Sequence, residues 1–325
     1  MAYNGGVISE RERKRMVSDQ KKIQLAMEKA MEAGRSIIPQ GNVATYIPEL
    51  GKARKDALGL CIQMPDGTVY KSGDTNIRFT IQSVSKVISL CIAIETRGTD
   101  TVFEVVGNEP SGEAFNSIVE LDINSGKPFN PMINSGAITT ESLIIDYKSF
   151  DEMLEFTRKL CSDPEITLNR QVYYSEMETC DRNRAIAYLL KSKGIIKANV
   201  DNSIELYTKM CSMNVTAQSL ANLGCVLANG GVDPFTGTRL LKSETVCVVK
   251  TIMFTCGMYD GSGQFAVEVG IPTKSGVGGG LLACADQKMG IGVYGPSLDA
   301  KGNSIAGKAM MKVLSDELKL HTFHS

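Results

Sequence analysis

Histidine is almost missing from this chain: His321 and His324, both close to the C-terminus, are the only two imidazoles in 325 residues. That scarcity excludes a relay built on histidine and a histidine-rich metal site, so acid–base work must fall to Lys, Tyr, Glu or Asp. The nine cysteines are an odd number with no C-x-x-C pair, which argues against a disulfide framework and against a zinc site. They read instead as small buried hydrophobes in a reducing compartment. No run of about 18 apolar residues occurs, so no membrane span is expected. The opening stretch, MAYNGGVISERERKRMVSDQKK, is polar and lacks an apolar h-region; no secretory signal is visible, and a cytoplasmic protein is expected. An excess of one charge is absent too. A formal net charge of -1 gives no electrostatic reason to expect nucleic acid or an anionic membrane as partner.

What is present is ordinary in bulk, with 43% hydrophobic and 22% charged residues, values typical of a globular protein. The length suits one large domain or two lobes sharing a core. Residues 10–34 read as an amphipathic helix ending at Gly34. The stretch DALGLCIQMPDGTVYKSGD, Asp56 to Asp74, has two apolar runs around Pro65-Asp66-Gly67, a hairpin signal. From about Gln82 to Thr255 helical patterns dominate, at 83–97, 136–146, 150–161, 181–193, 203–212, 216–229 and 243–255. The sixth closes on Asn229-Gly230-Gly231, a C-cap signature. After Asp260, SGQFAVEVG, KSGVGGGLLACA and KMGIGVYGPS are Gly-punctuated apolar runs that read as strands. A last helix in NSIAGKAMMKVLSDELKL has Asn303 or Ser304 as cap. The early hairpin and late strands can share one antiparallel sheet, with terminal helices packed on it. The division is an N-terminal helical segment (1–40), a sheet lobe (41–80 and 256–325) and a helical lobe (81–255), forming one α+β catalytic unit.

One helix poses a question. In FTIQSVSKVISLCIAIETRG, Phe79 to Gly98, the apolar residues surround the helix, which marks it as buried. Yet Ser83 and Lys86 stand three apart at its start, where they share a face. A serine hydroxyl needs a base to become a nucleophile. A desolvated lysine has its pKa lowered toward the range of such a base, and free N–H groups at a helix start can help hold an oxyanion. The alternative is a chance S-x-x-K at a helix start. A second motif, Lys274-Ser275-Gly276 before a Gly-rich strand, matches the order in which penicillin-recognising enzymes carry S-x-x-K and K-[ST]-G.

Further stretches extend the pattern: YIPEL at Tyr46, QSVSK at 82–86, EPSGEAFN at 109–116, KPFNPMINSGAI at 127–138, SEMETCDRNRAIAYLL at 175–190, LYTKMCSMNVT at 206–216, LANGGVDPFTG at 227–237 and CGMYDGSGQFA at 256–266. With these the chain resembles the serine-dependent glutaminases of bacterial and mitochondrial type, from about Tyr46 to the C-terminus. The resemblance implies a β-lactamase/transpeptidase-like fold. It implies hydrolysis of L-glutamine to L-glutamate and ammonia, no cofactor, and a homodimer or homotetramer. It casts Ser83 as nucleophile, Lys86 as base or partner of the base, and Tyr259 as proton relay. The N–H groups of Ser83 and Val277 would form the oxyanion hole. Tyr46, Gln82, Asn134, Glu176, Asn183 and Tyr207 would bind the amino-acid end of glutamine, with Glu176 suited to an ammonium and the amides and phenols to a carboxylate.

Single residues have plainer readings. Asp181 can be a helix cap within a charged cluster, Tyr207 and Tyr259 packing aromatics, Asn134 a turn former, and Ser85 a packing residue. Two other functions fit the same residues. One is a β-lactamase or penicillin-binding acyl transferase, disfavoured by the missing signal segment and by NPMIN where S-D-N would stand. The other is a non-catalytic amino-acid sensor that kept the pocket.

Overall fold

The structure, a computed structural model, describes residues 10–111, 117 and 127–324. Residues 112–116 of the EPSGEAFN stretch, and residues 1–9 of the N-terminal segment, lie outside the described residues. The first strands are β1 (Gly59–Gln63), β2 (Val69–Gly73) and the short β3 (Phe79–Thr80); β4 (Asn214–Val215) pairs antiparallel with β3. Late in the chain come β5 (Thr273–Ser275), β6 (Gly280–Ala285) and β7 (Met289–Tyr294). The hairpin and the late strands form one antiparallel sheet in the order β2-β1-β7-β6-β5. Its centre is the β1–β7 pair, in register from Gly59 opposite Tyr294 to Gln63 opposite Gly290.

The helices among the described residues are α1 (Glu10–Ile37), α2 (Ser85–Arg97), α3 (Thr99–Val105), α4 (Asn134–Ser142), α5 (Phe150–Cys161), α6 (Arg170–Thr179), α7 (Asp181–Ser192), α8 (Val200–Cys211), α9 (Ala217–Ala228), α10 (Ser243–Cys256), α11 (Ser262–Glu268) and α12 (Ile305–Leu318). None is long and apolar enough to cross a membrane. Because α1 and α12 cover one face of the sheet and α9 the other, strands β1, β6 and β7 are buried on both faces. This is why they read as continuous apolar runs rather than alternating ones. Leu60, Ile62, Leu281, Ile291 and Val293 pack with Met27, Met31, Met310 and Leu314. Cys61, Leu282 and Cys284 face the other way, toward Leu220, Leu223 and Leu227.

Helix α2 answers the question posed by its sequence: every residue from Ser85 to Ile94 is buried. Three expectations need correction. SGQFAVEVG is the short helix α11, not a strand; its Phe265 is buried beside α12 residues while Val267 is exposed, a one-sided pattern too short to separate the two periods. Helix α1 runs past Gly34 to Ile37. A Cβ at Gly34 would stand 2.8 Å from Met310 Cγ, so this glycine permits close helix packing and does not stop the helix. Asp181 is not a cap either. The N-cap position belongs to Cys180 without a side-chain bond, and Asp181 pairs with Arg184 at 3.1 Å.

Candidate active site

The site forms where the chain enters α2. Strand β3 is pinned by β4, and the Ile81 N–H donates to the Met213 carbonyl at 2.9 Å. A 3-10 turn, Gln82–Val84, then leads into the helix. Gln82 adopts a positive φ of 48°. Ser83 is 6% and Lys86 1% exposed. In this tight turn the two side chains overlie one another, and Lys86 Nζ donates to Ser83 Oγ at 2.9 Å.

Against this turn lies the loop between β5 and β6. Its approach depends on glycine: a Cβ at Gly276 would be 2.8 Å from the Ile81 carbonyl oxygen, and one at Gly278 would be 2.5 Å from that of Thr80. Only residues without side chains let the two backbones meet this closely. Val277, between them, is thereby set beside Ser83. Its N–H and the Ser83 hydroxyl both lie close enough to the phenol oxygen of Tyr259 to favour its ionised form against the opposing effect of burial. Tyr259 has a positive φ of 56° and lies 7% exposed.

The remaining candidates converge on the same place. Lys86 Nζ also donates to Asn134 Oδ1 at 2.7 Å, and Asn134 Nδ2 donates to Asn183 Oδ1 at 3.0 Å. Asn134, at the start of buried α4, is thus a linking residue and more than a turn former. Gln82 Nε2 donates to Thr80 Oγ1 at 3.3 Å and Glu176 Oε2 at 3.5 Å. Tyr207 places its ring centroid 5.7 Å from Lys86 Nζ. Tyr46 keeps 56% of its surface in solvent, while burial of its hydroxyl and the nearby Tyr259 and Glu176 raise its pKa well above the ordinary phenol.

Burial sets the protonation states. It pulls Lys86 down to about 8, with Cys211, Glu176 and Glu141 acting in the opposite direction. It pushes Glu176 up to about 7, held back by the hydrogen bond from Gln82 and by Lys86. The same desolvation raises Tyr259 and raises Tyr207 well above the ordinary phenol. Lys86 is therefore partly neutral near physiological pH, and the phenols keep their protons.

Three polar groups were given no individual role from sequence. Lys274 is 0% exposed and lies 4.4 Å from the centroid of the Tyr259 ring. It donates to the carbonyls of Gly257 at 3.2 Å and Ser275 at 2.6 Å, and burial lowers its pKa well below the usual value. The K-S-G motif was its signal. Cys211 and Glu141 gave none: one sits within a helical pattern, the other in a helix whose nine residues are all buried. Ser85, read as packing, places Oγ 3.6 Å from Cys211 Sγ. A groove of about 600 Å³ lined by Ile92, Met153 and Phe156 with a charged rim lies outside this network.

The family model described as Glutaminase matches residues 41–323. Glutaminase 2 of Clostridium perfringens (strain 13 / Type A) is 53% identical over 301 residues, 91% of this chain and 99% of that protein. Among solved structures, the probable glutaminase ybaS superimposes with a TM-score of 0.90 at 36% identity, covering 94% of this chain and 99% of that one. The Bacillus subtilis glutaminase YbgJ, in covalent complex with 5-oxo-L-norleucine formed from 6-diazo-5-oxo-L-norleucine, superimposes with a TM-score of 0.84 at 36% identity, covering 92% and 99%.

Proposed function

The chain belongs to the glutaminase family and is a glutaminase, hydrolysing L-glutamine to L-glutamate and ammonia; on that premise we propose that Ser83 is its nucleophile, Lys86 the base and Tyr259 the proton relay. The observation that carries this reading is that Lys86 Nζ donates to the Ser83 hydroxyl at 2.9 Å; the buried Tyr259 phenol lies beside the same hydroxyl.

The neutral fraction of Lys86 accepts the Ser83 proton as Oγ bonds to the side-chain amide carbon of glutamine. The carbonyl oxygen takes up negative charge and is held by the N–H groups of Ser83 and Val277. Preorganised donors of this kind supply a large share of acyl-transfer catalysis. The amide C–N bond then breaks, and the leaving nitrogen takes the proton held by Lys86 through Tyr259 and departs as ammonia. Water attacks the γ-glutamyl ester, giving a proton to the again neutral Lys86, which passes it to Ser83 Oγ as the ester bond breaks and glutamate leaves. The raised pKa of Tyr259 suits a donor and relay better than a base; the lowered pKa of Lys86 suits the base.

The amino-acid end of glutamine is assigned to Tyr46, Gln82, Asn134, Glu176, Asn183 and Tyr207. Glu176, ionised, pairs with the α-ammonium. The sheet lobe (41–80 and 256–325) and the helical lobe (81–255) act as one catalytic unit, working in the cytoplasm as a homodimer or homotetramer. Its nine free thiols and the resemblance support the last two points; a native mass equal to one chain would overturn the oligomer.

The test is labelling with 6-diazo-5-oxo-L-norleucine followed by peptide mass mapping. The adduct is expected on Ser83 and absent from Ser83→Ala, which also loses ammonia release while keeping its thermal transition. An adduct mapped to another residue would refute the nucleophile assignment.

A further inference from the structure

Helix α4 is buried throughout, and two of its polar residues, Asn134 and Glu141, stand seven apart, a spacing that helical periodicity places on one face. Both address α2. Asn134 accepts from Lys86 at 2.7 Å, and Glu141 Oε1 accepts from the Ser89 hydroxyl at 2.7 Å, Ser89 lying one turn beyond Lys86. Glu141 is 0% exposed, and among the described residues its Oε2 has no hydrogen-bond partner. A buried carboxyl with an unsatisfied oxygen is destabilising where an apolar side chain would not be. The cation whose field reaches it is Lys86.

We propose that Glu141 is a positioning residue for the reaction, supplying from beneath the site the counter-charge for the ammonium that forms when Lys86 takes the proton of Ser83. The inference rests on Lys86 being the base. Burial pushes Glu141 up to about 8 and pulls Lys86 down to about 8, so the two groups change charge over the same range. The other groups facing Lys86 leave this role open. Glu176, from α6, is assigned to the substrate ammonium. Cys211 and Tyr207, from α8, are pushed up by burial and stay neutral, as does Tyr259. Lys274, from β5, is held toward its neutral form by burial. Glu141 is the carboxyl among them that substrate does not claim, and it ionises over the range in which Lys86 loses its proton.

The experiment is the pH dependence of kcat at saturating glutamine, where the effect of Glu176 on KM drops out, in the unmodified enzyme and in Glu141→Gln, Ser89→Ala and Lys86→Ala. Glutamine preserves the shape and an acceptor for Ser89 but cannot ionise. Without the carboxylate the ammonium form of Lys86 loses stabilisation, its pKa falls, and the acid limb of the profile moves to lower pH. A shift of about half a unit, or about threefold more of the plateau activity retained on the acid side, is expected. Ser89→Ala, which loosens the carboxyl without removing it, moves the limb the same way by less, and reports even if Glu141→Gln fails to fold. Limbs that superimpose on the unmodified enzyme in every variant that folds overturn the proposal alone, provided Lys86→Ala is inactive. An active Lys86→Ala overturns the base assignment and this inference together.

Discussion

Gln82 and Tyr259 share one backbone peculiarity and one neighbour: both have positive φ, 48° and 56°, and both abut Ser83, the first in sequence and the second through its phenol. For residues with a Cβ this conformation costs on the order of 1–3 kcal/mol each, and such strain persists only where the surroundings over-determine it. Here they do. The bonds of Gln82 to Thr80 and Glu176 fix one side, and the Ser262 hydroxyl, donating to the Tyr259 carbonyl at 2.7 Å, fixes the other. The result is a serine approached from two directions by groups that have little freedom to leave.

Replacing Tyr259 by Phe removes the phenol and keeps the ring over which Lys274 lies. Turnover should fall by roughly 10²–10⁴-fold, the usual worth of a positioned proton-transfer group, with KM little changed. Steady-state ammonia release checks this; a kcat within about threefold of the unmodified enzyme would remove Tyr259 from the relay.

Glu176 gives a pH dependence of its own. Burial raises it to about 7, so as pH falls through that value the carboxylate gains a proton and its attraction for an ammonium disappears. KM for glutamine should therefore climb below about pH 7, by up to tenfold per pH unit at the limit. In Glu176→Gln, KM should be high and flat. A KM that is constant between roughly pH 6 and 8 in the unmodified enzyme contradicts the pairing.

Gly278→Ala tests how the donor loop is placed. The new Cβ would stand 2.5 Å from the Thr80 carbonyl oxygen, so the loop must move away from the turn before Ser83, taking Val277 with it. A displacement of order 1 Å beside the reacting atoms can cost about 10² in rate. We expect a kcat loss of about 10–100-fold with the sheet still formed, checked by circular dichroism and kinetics on the same sample. Unimpaired kcat would show that the close approach is not needed for catalysis.

Much of the scaffold was legible because its signals are local. Pro65-Asp66-Gly67 marks the hairpin turn, and Gly67 takes a positive φ of 88° there. Asn229 and Gly230 close α9, where the Gly231 N–H donates back to the Val226 carbonyl at 2.8 Å. That the early hairpin and the late strands share one antiparallel sheet was also legible; the order in which they pair was not. Element identity failed where burial is one-sided over a short span, as at α11. Helix α6, whose exposed Tyr174 and buried Val172 and Glu176 give a weak stripe, was missed for a similar reason. Serine and lysine three apart were visible as a pair. What their spacing could not reveal is the carboxyl of Glu141, because its link to Lys86 runs between helices distant in sequence. Its own helix is buried on all sides and carries no periodic mark.

The central pairing of Gly59 with Tyr294 has a consequence for how the enzyme comes into being. As the chain leaves the ribosome, β1 and β2 emerge early and must wait for β7 through nearly the whole of synthesis; a lone hairpin is marginal in water. The helical segments that follow can begin to form as they appear, since the backbone hydrogen bonds of a helix are local. Ser83 and Lys86 are therefore made long before Val277, and the nascent polypeptide carries its nucleophile and base without the loop that completes the site. Completion of translation acts as the switch: a truncated or stalled product should bear the reactive pair yet leave glutamine untouched.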